Sequence, residues 1–198
     1  MFIKTSGFKK LANEAYKTTG LYISAEEQDY IIHSCYWALK VRIKALSNKE
    51  KAVLVELAGD IPETGQHFSV QKDEGKQLLL DAAPWTKHLY HETQDSLIIT
   101  PVIIQEQKCS DIKCRILQNK AGQIIPINES FIDMINEREV KERSDILIGP
   151  YMVKGSNNMI FFKDRICTFA IAKRDWSNNE NLSGIKEMLE GLVLPEEG

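Results

Sequence analysis

The spacing of apolar residues along the chain switches repeatedly between a helical and a strand-like period. In GFKKLANEAYKTT, Phe8, Leu11, Ala12, Ala15 and Tyr16 recur at three- and four-residue intervals. That spacing predicts an amphipathic helix, capped by Thr5 or Ser6 and stopped at Gly20. The period then falls to two. LYIS (21–24) predicts a strand, AEEQD a charged turn, and DYIIHSCYWALKVRIKAL one or two further strands. In WALKVRI the alternation directs Trp37, Leu39, Val41 and Ile43 inward and Lys40, Arg42 and Lys44 outward. Ser47 caps a second helix, NKEKAVLVELAGD, which ends at Gly59 and Asp60 ahead of Pro62.

Residues 61–94 are polar and irregular, with QHFSVQKD and KQLLLDA as short strands. SLIITPVIIQEQ (96–107) and KCRILQN (113–119) predict a strand pair, and AGQIIPI follows the turn at Lys120-Ala121-Gly122. Asn128 or Ser130 caps a third helix, ESFIDMINEREVKER. A hairpin of ILIGPYMV and NMIFFKDRICTFAIAKR comes next, its second arm broken at Lys163-Asp164-Arg165. Phe169 and Ile171 face inward in that arm. The Lys173-Arg174-Asp175 cluster closing it reads either as edge protection or as part of a binding face. The tail holds a short amphipathic helix around 183–191 and an acidic end.

Helix followed by hairpin therefore occurs twice, near 6–46 and near 129–174. This order implies an α+β fold with antiparallel sheets and two to three main helices. The segments are a helix-hairpin-helix stretch (1–60), an irregular connection (61–95), a strand-rich stretch with a helix (96–175) and a tail (176–198), expected to form one compact domain.

Composition adds constraints. With 198 residues, 43% hydrophobic and 27% charged, the chain can bury a sizeable core and reads as globular. A net charge of −3 gives no global signal for nucleic acid, yet the charge is uneven. Residues 1–51 carry nine Lys or Arg against five Asp or Glu, a net of +4, which leaves −7 on the remainder. No apolar run reaches the roughly 18 residues of a membrane span, and Met1-Phe2-Ile3-Lys4 leads straight into a polar helix, so neither a signal peptide nor a membrane partner is expected. Cys35, Cys109, Cys114 and Cys167 have no disulfide-framework spacing, which predicts buried, reduced thiols and a cytoplasmic setting.

Candidate chemistry is sparse. His88 and His91, three apart, could join Cys109 and Cys114 in an N2S2 zinc set, the basis of an alternative reading as a metal-dependent hydrolase or nuclease. Glu139 and Lys141, with Asp133 upstream, echo the residues that hold Mg²⁺ in restriction-type nucleases, but they fall in the charged helical run NEREVKER, which reads as a solvated face. Cys35 lies two residues from His33 in a strand-like run, a poor place for an exposed nucleophile. There is no G-x-S-x-G and no Gly-rich phosphate loop. No catalytic residue and no cofactor are assigned. What remains is a basic surface of Lys9, Lys10 and Lys17 on the first helix, Lys40, Arg42 and Lys44 after it, and Lys173 and Arg174 at the end of the hairpin. These suit sequence-independent contact with phosphates or with an acidic protein face.

The hairpin PYMVKGSNNMIFF followed by ICTFAIAKRD resembles the closing segment of sliding-clamp domains, which end in a strand with a short apolar run and then a basic residue, as Phe169-Ala-Ile-Ala-Lys173-Arg174 does. The early helix-plus-hairpin order is similar to half a clamp domain. The likeness covers about a third of the chain, and the chain is short for a ring subunit, so neither a ring nor a partner pocket is carried over. In general character, the lysine-rich MFIKTSGFKKLANEAYK opening is similar to small proteins of phages and mobile elements of gut Firmicutes, some of which block host defences such as CRISPR effectors. Together these imply a non-enzymatic binding protein that docks on a nucleic acid or on a replication or host-defence protein that handles one, including as an inhibitor.

Overall fold

The computed structural model describes residues 1–92, 95–105, 112–153, 156–176 and 180–196. Within them the fold is α+β, with five α-helices and eleven antiparallel strands. The chain forms two compact units: residues 1–91, 134–147 and 162–170 in the first, and 92–133, 148–161 and 171–198 in the second.

In the first unit, α1 (Thr5–Lys17) buries Gly7, Phe8, Leu11, Ala12 and Ala15. Its N-cap is Lys4, with no side-chain cap bond. Phe8 N–H donates to the Lys4 carbonyl, and the Thr5 hydroxyl donates to Glu50 instead, at 2.8 Å. The cap expected from Thr5 or Ser6 is therefore not made. Strands β1 (Leu21–Glu26), β2 (Asp29–His33) and β3 (Trp37–Arg42) form a meander, and β4 (His67–Gln71) and β5 (Gly75–Leu79) extend it beyond β1.

The registers align Ile23 with Ile32 and with Phe68, and Ile32 with Leu39. By the period of two, Leu21, Ile23, Ala25, Ile32, Leu39, Val41, Phe68 and Val70 line one face, and all are buried. Each of these side chains other than Ala25 contributes roughly 1.5–3 kcal/mol. The opposite face carries Ser24, Glu26, Asp29, His33, Lys40 and Arg42, and there Tyr90 of a 3-10 segment (Pro84–Tyr90) touches Lys40 and Glu26. Helix α1 packs on β1 and β4 and on the helix that follows the meander, and these together bury its apolar stripe.

Helix α2 (Asn48–Ala58) starts at the predicted cap Ser47, which with Glu50 forms a capping box in which each satisfies the other's backbone N–H, and stops at Gly59, whose φ of 83° suits glycine. Trp37 is 4% exposed, as the alternation required. Ile43 and Lys44, however, belong to a 3-10 turn (Ile43–Ala45) that ends the strand.

The predicted third helix is divided. α3 (Glu129–Ile132) is capped by Asn128, and α4 (Glu137–Glu142) follows after a break. At the break the chain joins its own beginning. Lys4 N–H donates to the Met134 carbonyl, Ile3 bridges Ile135, and Asn136 N–H donates to the Phe2 carbonyl at 2.7 Å. α3 falls in the second unit and α4 in the first.

β10 (Ser156–Lys163) and β11 (Cys167–Ala172) are two strands, as the Lys163-Asp164-Arg165 break predicted. In the strand order β11 stands between β3 and β10, so it is an interior strand. The edge-protection reading of Lys173-Arg174-Asp175 therefore fails, because this strand has neighbours on both sides. Thr168 and Ala170 are as buried as Phe169 and Ile171.

The second unit contains β6 (Asp95–Gln105), β7 (Lys113–Asn119), β8 (Ile124–Asn128) and β9 (Ile148–Val153) in the order β9-β6-β7-β8. Cys114, Ile116, Ile124 and Trp176 form a core cluster, against which Ile185 and Leu189 of α5 (Glu180–Leu189) pack. Arg115 grips Glu129 through two hydrogen bonds of 2.7 and 2.5 Å and donates a third to the Thr100 carbonyl. This satisfies a buried charge pair that would otherwise be costly.

The cysteine expectation needs one correction. Cys114 and Cys167 are buried, but Cys35 is exposed. It sits in the turn between β2 and β3, which the Ser34 N–H to Trp37 carbonyl bond closes. Its exposure also removes the ground on which a nucleophilic role was set aside, although no such role follows from exposure alone. Cys109 lies outside the described residues.

Candidate functional site

The basic residues fall into three environments. On α1, Lys9, Asn13 and Lys17 are spaced i, i+4, i+8, with Lys10 and Glu14 beside them, so they share the face turned away from the buried stripe. All three lysines are exposed. They line one shallow groove of about 480 Å³ with Ser6, Asn13, Thr18 and one acidic residue, Glu14. At 1.5 Å per residue, Lys9 and Lys17 lie about 12 Å apart along the axis. Among the described residues none of the three lysines makes an ion pair. Three unengaged ammonium groups on one rigid helix can neutralise anions without first losing a partner.

Lys40 and Arg42 are placed differently. They point from β3 to the polar face of the sheet, and both contact Asp29, at 3.7 and 3.5 Å. Lys40 Nζ also lies 4.1 Å from the centre of the Tyr90 ring, and Arg42 donates to Gln28 at 2.8 Å. Burial pulls the Lys40 ammonium below the usual lysine range, with Asp29 opposing it. Burial, and then Glu26, raises the Tyr90 hydroxyl above the usual tyrosine range. These cations are already committed within the fold. Lys44 is exposed in the 3-10 turn. The structure thus unites Lys9, Lys10 and Lys17, and separately Lys40 and Arg42, on different surfaces of the first unit.

Lys173 and Arg174 belong to the second unit. Lys173 is exposed and donates its N–H to the Asn158 carbonyl, and Arg174 is half-buried with its N–H on the Pro126 carbonyl.

His88 and His91 stand with ring centres 5.4 Å apart in and just after the 3-10 segment. Burial, and then the positive character of His91 and Lys87, lowers the His88 pKa. Among the described residues no group of three His, Cys, Asp or Glu converges as metal ligands. Glu139 and Lys141 sit on α4; Lys141 meets Glu137 on its exposed side, whereas Glu139 holds the buried Met1 ammonium at 2.9 Å and Arg143 at 3.2 Å, so the solvated-face reading fits Lys141 and not Glu139.

Sequence reasoning missed an open cleft of about 650 Å³ in the first unit, lined by Glu26, Glu27, His67, Asp81, Lys87 and Tyr90 among others. Its residues come from three separate stretches of chain, 25–27, 64–67 and 81–90, so no local spacing announces it. Comparison with protein-family models, curated proteins and solved structures finds no match to this chain.

Proposed function

We propose that this chain is a non-enzymatic binding protein that docks on the phosphate backbone of a nucleic acid through the lysine face of α1. The observation that carries the reading is the set of Lys9, Lys10 and Lys17, exposed, unpaired among the described residues and lining one groove. The setting is that of a phage or mobile-element protein acting on replication or host defence, and the partner class extends to proteins that handle nucleic acid. The free lysines favour the nucleic acid itself, because point charges on a rigid helix suit sequence-independent contact.

Binding of a labelled duplex, followed by fluorescence anisotropy, tests the reading. Three phosphate contacts imply a loss of about 40-fold in affinity between about 50 and 200 mM salt. Changing Lys9, Lys10 and Lys17 together to Glu should abolish binding at low salt and leave thermal unfolding unchanged. Equal binding by the parent and the triple variant would overturn it.

A further inference from the structure

Strand β5 stands first in the strand order and, among the described residues, has a strand partner, β4, on one side only. Alternate N–H and C=O groups of such an edge point away from the sheet and offer a template to another strand. Natural edges are commonly guarded by a lysine, a proline or a bulge. β5 reads GKQLL, and its one charge is turned away. The Lys76 ammonium pairs with Asp60 and lies 4.0 Å from the centre of the Phe68 ring, both within its own unit. What the edge shows instead is apolar, with Leu78 79% and Leu80 98% exposed. Leu78 stands opposite Phe68; Leu80 and Asp81 follow in a bend just past the end of β5, and extending the strand by these two residues on pairing brings Leu80 to the side of Leu78.

We propose that β5 pairs antiparallel with β5 of a second copy of this chain. Across a two-fold axis, side-chain faces match only when a residue, not the gap between two, sits on the axis. With Leu79 on the axis, Leu78 meets Leu80 of the second copy, and this contact occurs twice, while Gln77 meets Asp81 of the second copy. The adjacent permitted register, with Leu78 on the axis, would place Leu80 against Lys76, which is already committed to Asp60. The sequence is thus self-complementary in the leucine register. The continuous strand pairing satisfies the outward backbone groups and buries four leucines.

Light scattering on the full chain at increasing concentration should show a mass rising from 22.6 kDa toward twice that value. Changing Leu78 and Leu80 together to Glu should return it to 22.6 kDa with unchanged circular dichroism. In a Cys35→Ser background, Leu79→Cys should give an oxidised, covalent pair, because opposed residues of antiparallel strands lie within disulfide reach. Gln77→Cys, which faces Asp81, should not. A mass of 22.6 kDa at every concentration overturns the proposal and leaves the edge to a foreign strand. A dimer that survives the double substitution, or that fails to cross-link at position 79, overturns it equally.

Discussion

Removing the carboxylate of Asp164 should be among the most damaging single changes in the first unit. The Asp164 side chain is 0% exposed at the corner between β10 and β11. One oxygen accepts the backbone N–H groups of Ile166, at 2.9 Å, and Cys167, at 2.7 Å. The other pairs with Arg143, which also reaches Glu139 at 3.2 Å. Asp164→Ala strips two backbone donors of their acceptor, the one on Cys167 fully buried. An orphaned buried donor costs about 1–3 kcal/mol. Arg143 is a quarter exposed and keeps Glu139, so the lost ion pair adds little more than about 1 kcal/mol after solvent screening. The expected total is about 3–4 kcal/mol. Asp164→Asn keeps an oxygen over both N–H groups and loses only the charge, so it should cost about 1–2 kcal/mol. Urea unfolding would show a shifted midpoint at constant slope, and a double-mutant cycle with Arg143→Met would isolate the ion pair. If Asp164→Ala lies within about 1 kcal/mol of the parent, or Asn costs as much as Ala, the corner is not held in this way.

Trp37→Ala should cost about 3–5 kcal/mol in the same assay, since the side chain is almost wholly buried; acrylamide quenching of the indole as fast as in free solution would contradict that burial. Burial lowers the His33 pKa to about 4, while the ring stacks on Tyr22 with centroids 4.8 Å apart. The unfolded chain takes up that proton near pH 6.5. Its stabilisation is therefore full above pH 6.5 and is lost as pH falls toward 4, by about 3 kcal/mol at most. His33→Phe should lose less stability across this window, and identical losses would refute the assignment. Ellman's reagent should modify Cys35 in the folded protein and reach Cys114 and Cys167 only after unfolding, so a fast thiol that persists in Cys35→Ser points to another residue.

Signals carried by neighbouring residues were legible. Ser47 announced the start of α2, the alternation of WALKVRI placed Trp37, and Lys163-Asp164-Arg165 marked the corner between β10 and β11. The failures share a cause. The pattern ESFIDMINEREVKER is helical throughout, yet the backbone leaves the helix where Met134, Ile135 and Asn136 bond to residues at the start of the chain. Thr5 has the chemistry of a cap but gives its hydroxyl to Glu50, 45 positions away. Of the candidate site, the lysines of α1 could be grouped from helical spacing alone. The commitment of Lys40 and Arg42 to Asp29 could not, because it depends on strand register.

The chain passes between the two units five times, after residues 91, 133, 147, 161 and 170. Neither unit is a contiguous stretch, so a truncation at any internal point takes residues from the second unit and, at most points, from the first as well. The pair therefore cannot be shuffled by a single recombination event, as beads on a string can. The same threading acts during synthesis. The first unit lacks its closing segment until Ala170 has been made. From the completion of β3 at Arg42 to Ala170, at about 5–20 residues per second, the ribosome carries an incomplete sheet for roughly six to twenty-five seconds. A slowed or paused ribosome would prolong the exposure of that unfinished edge, so yield in the cell should depend on elongation rate as well as on the stability of the finished fold.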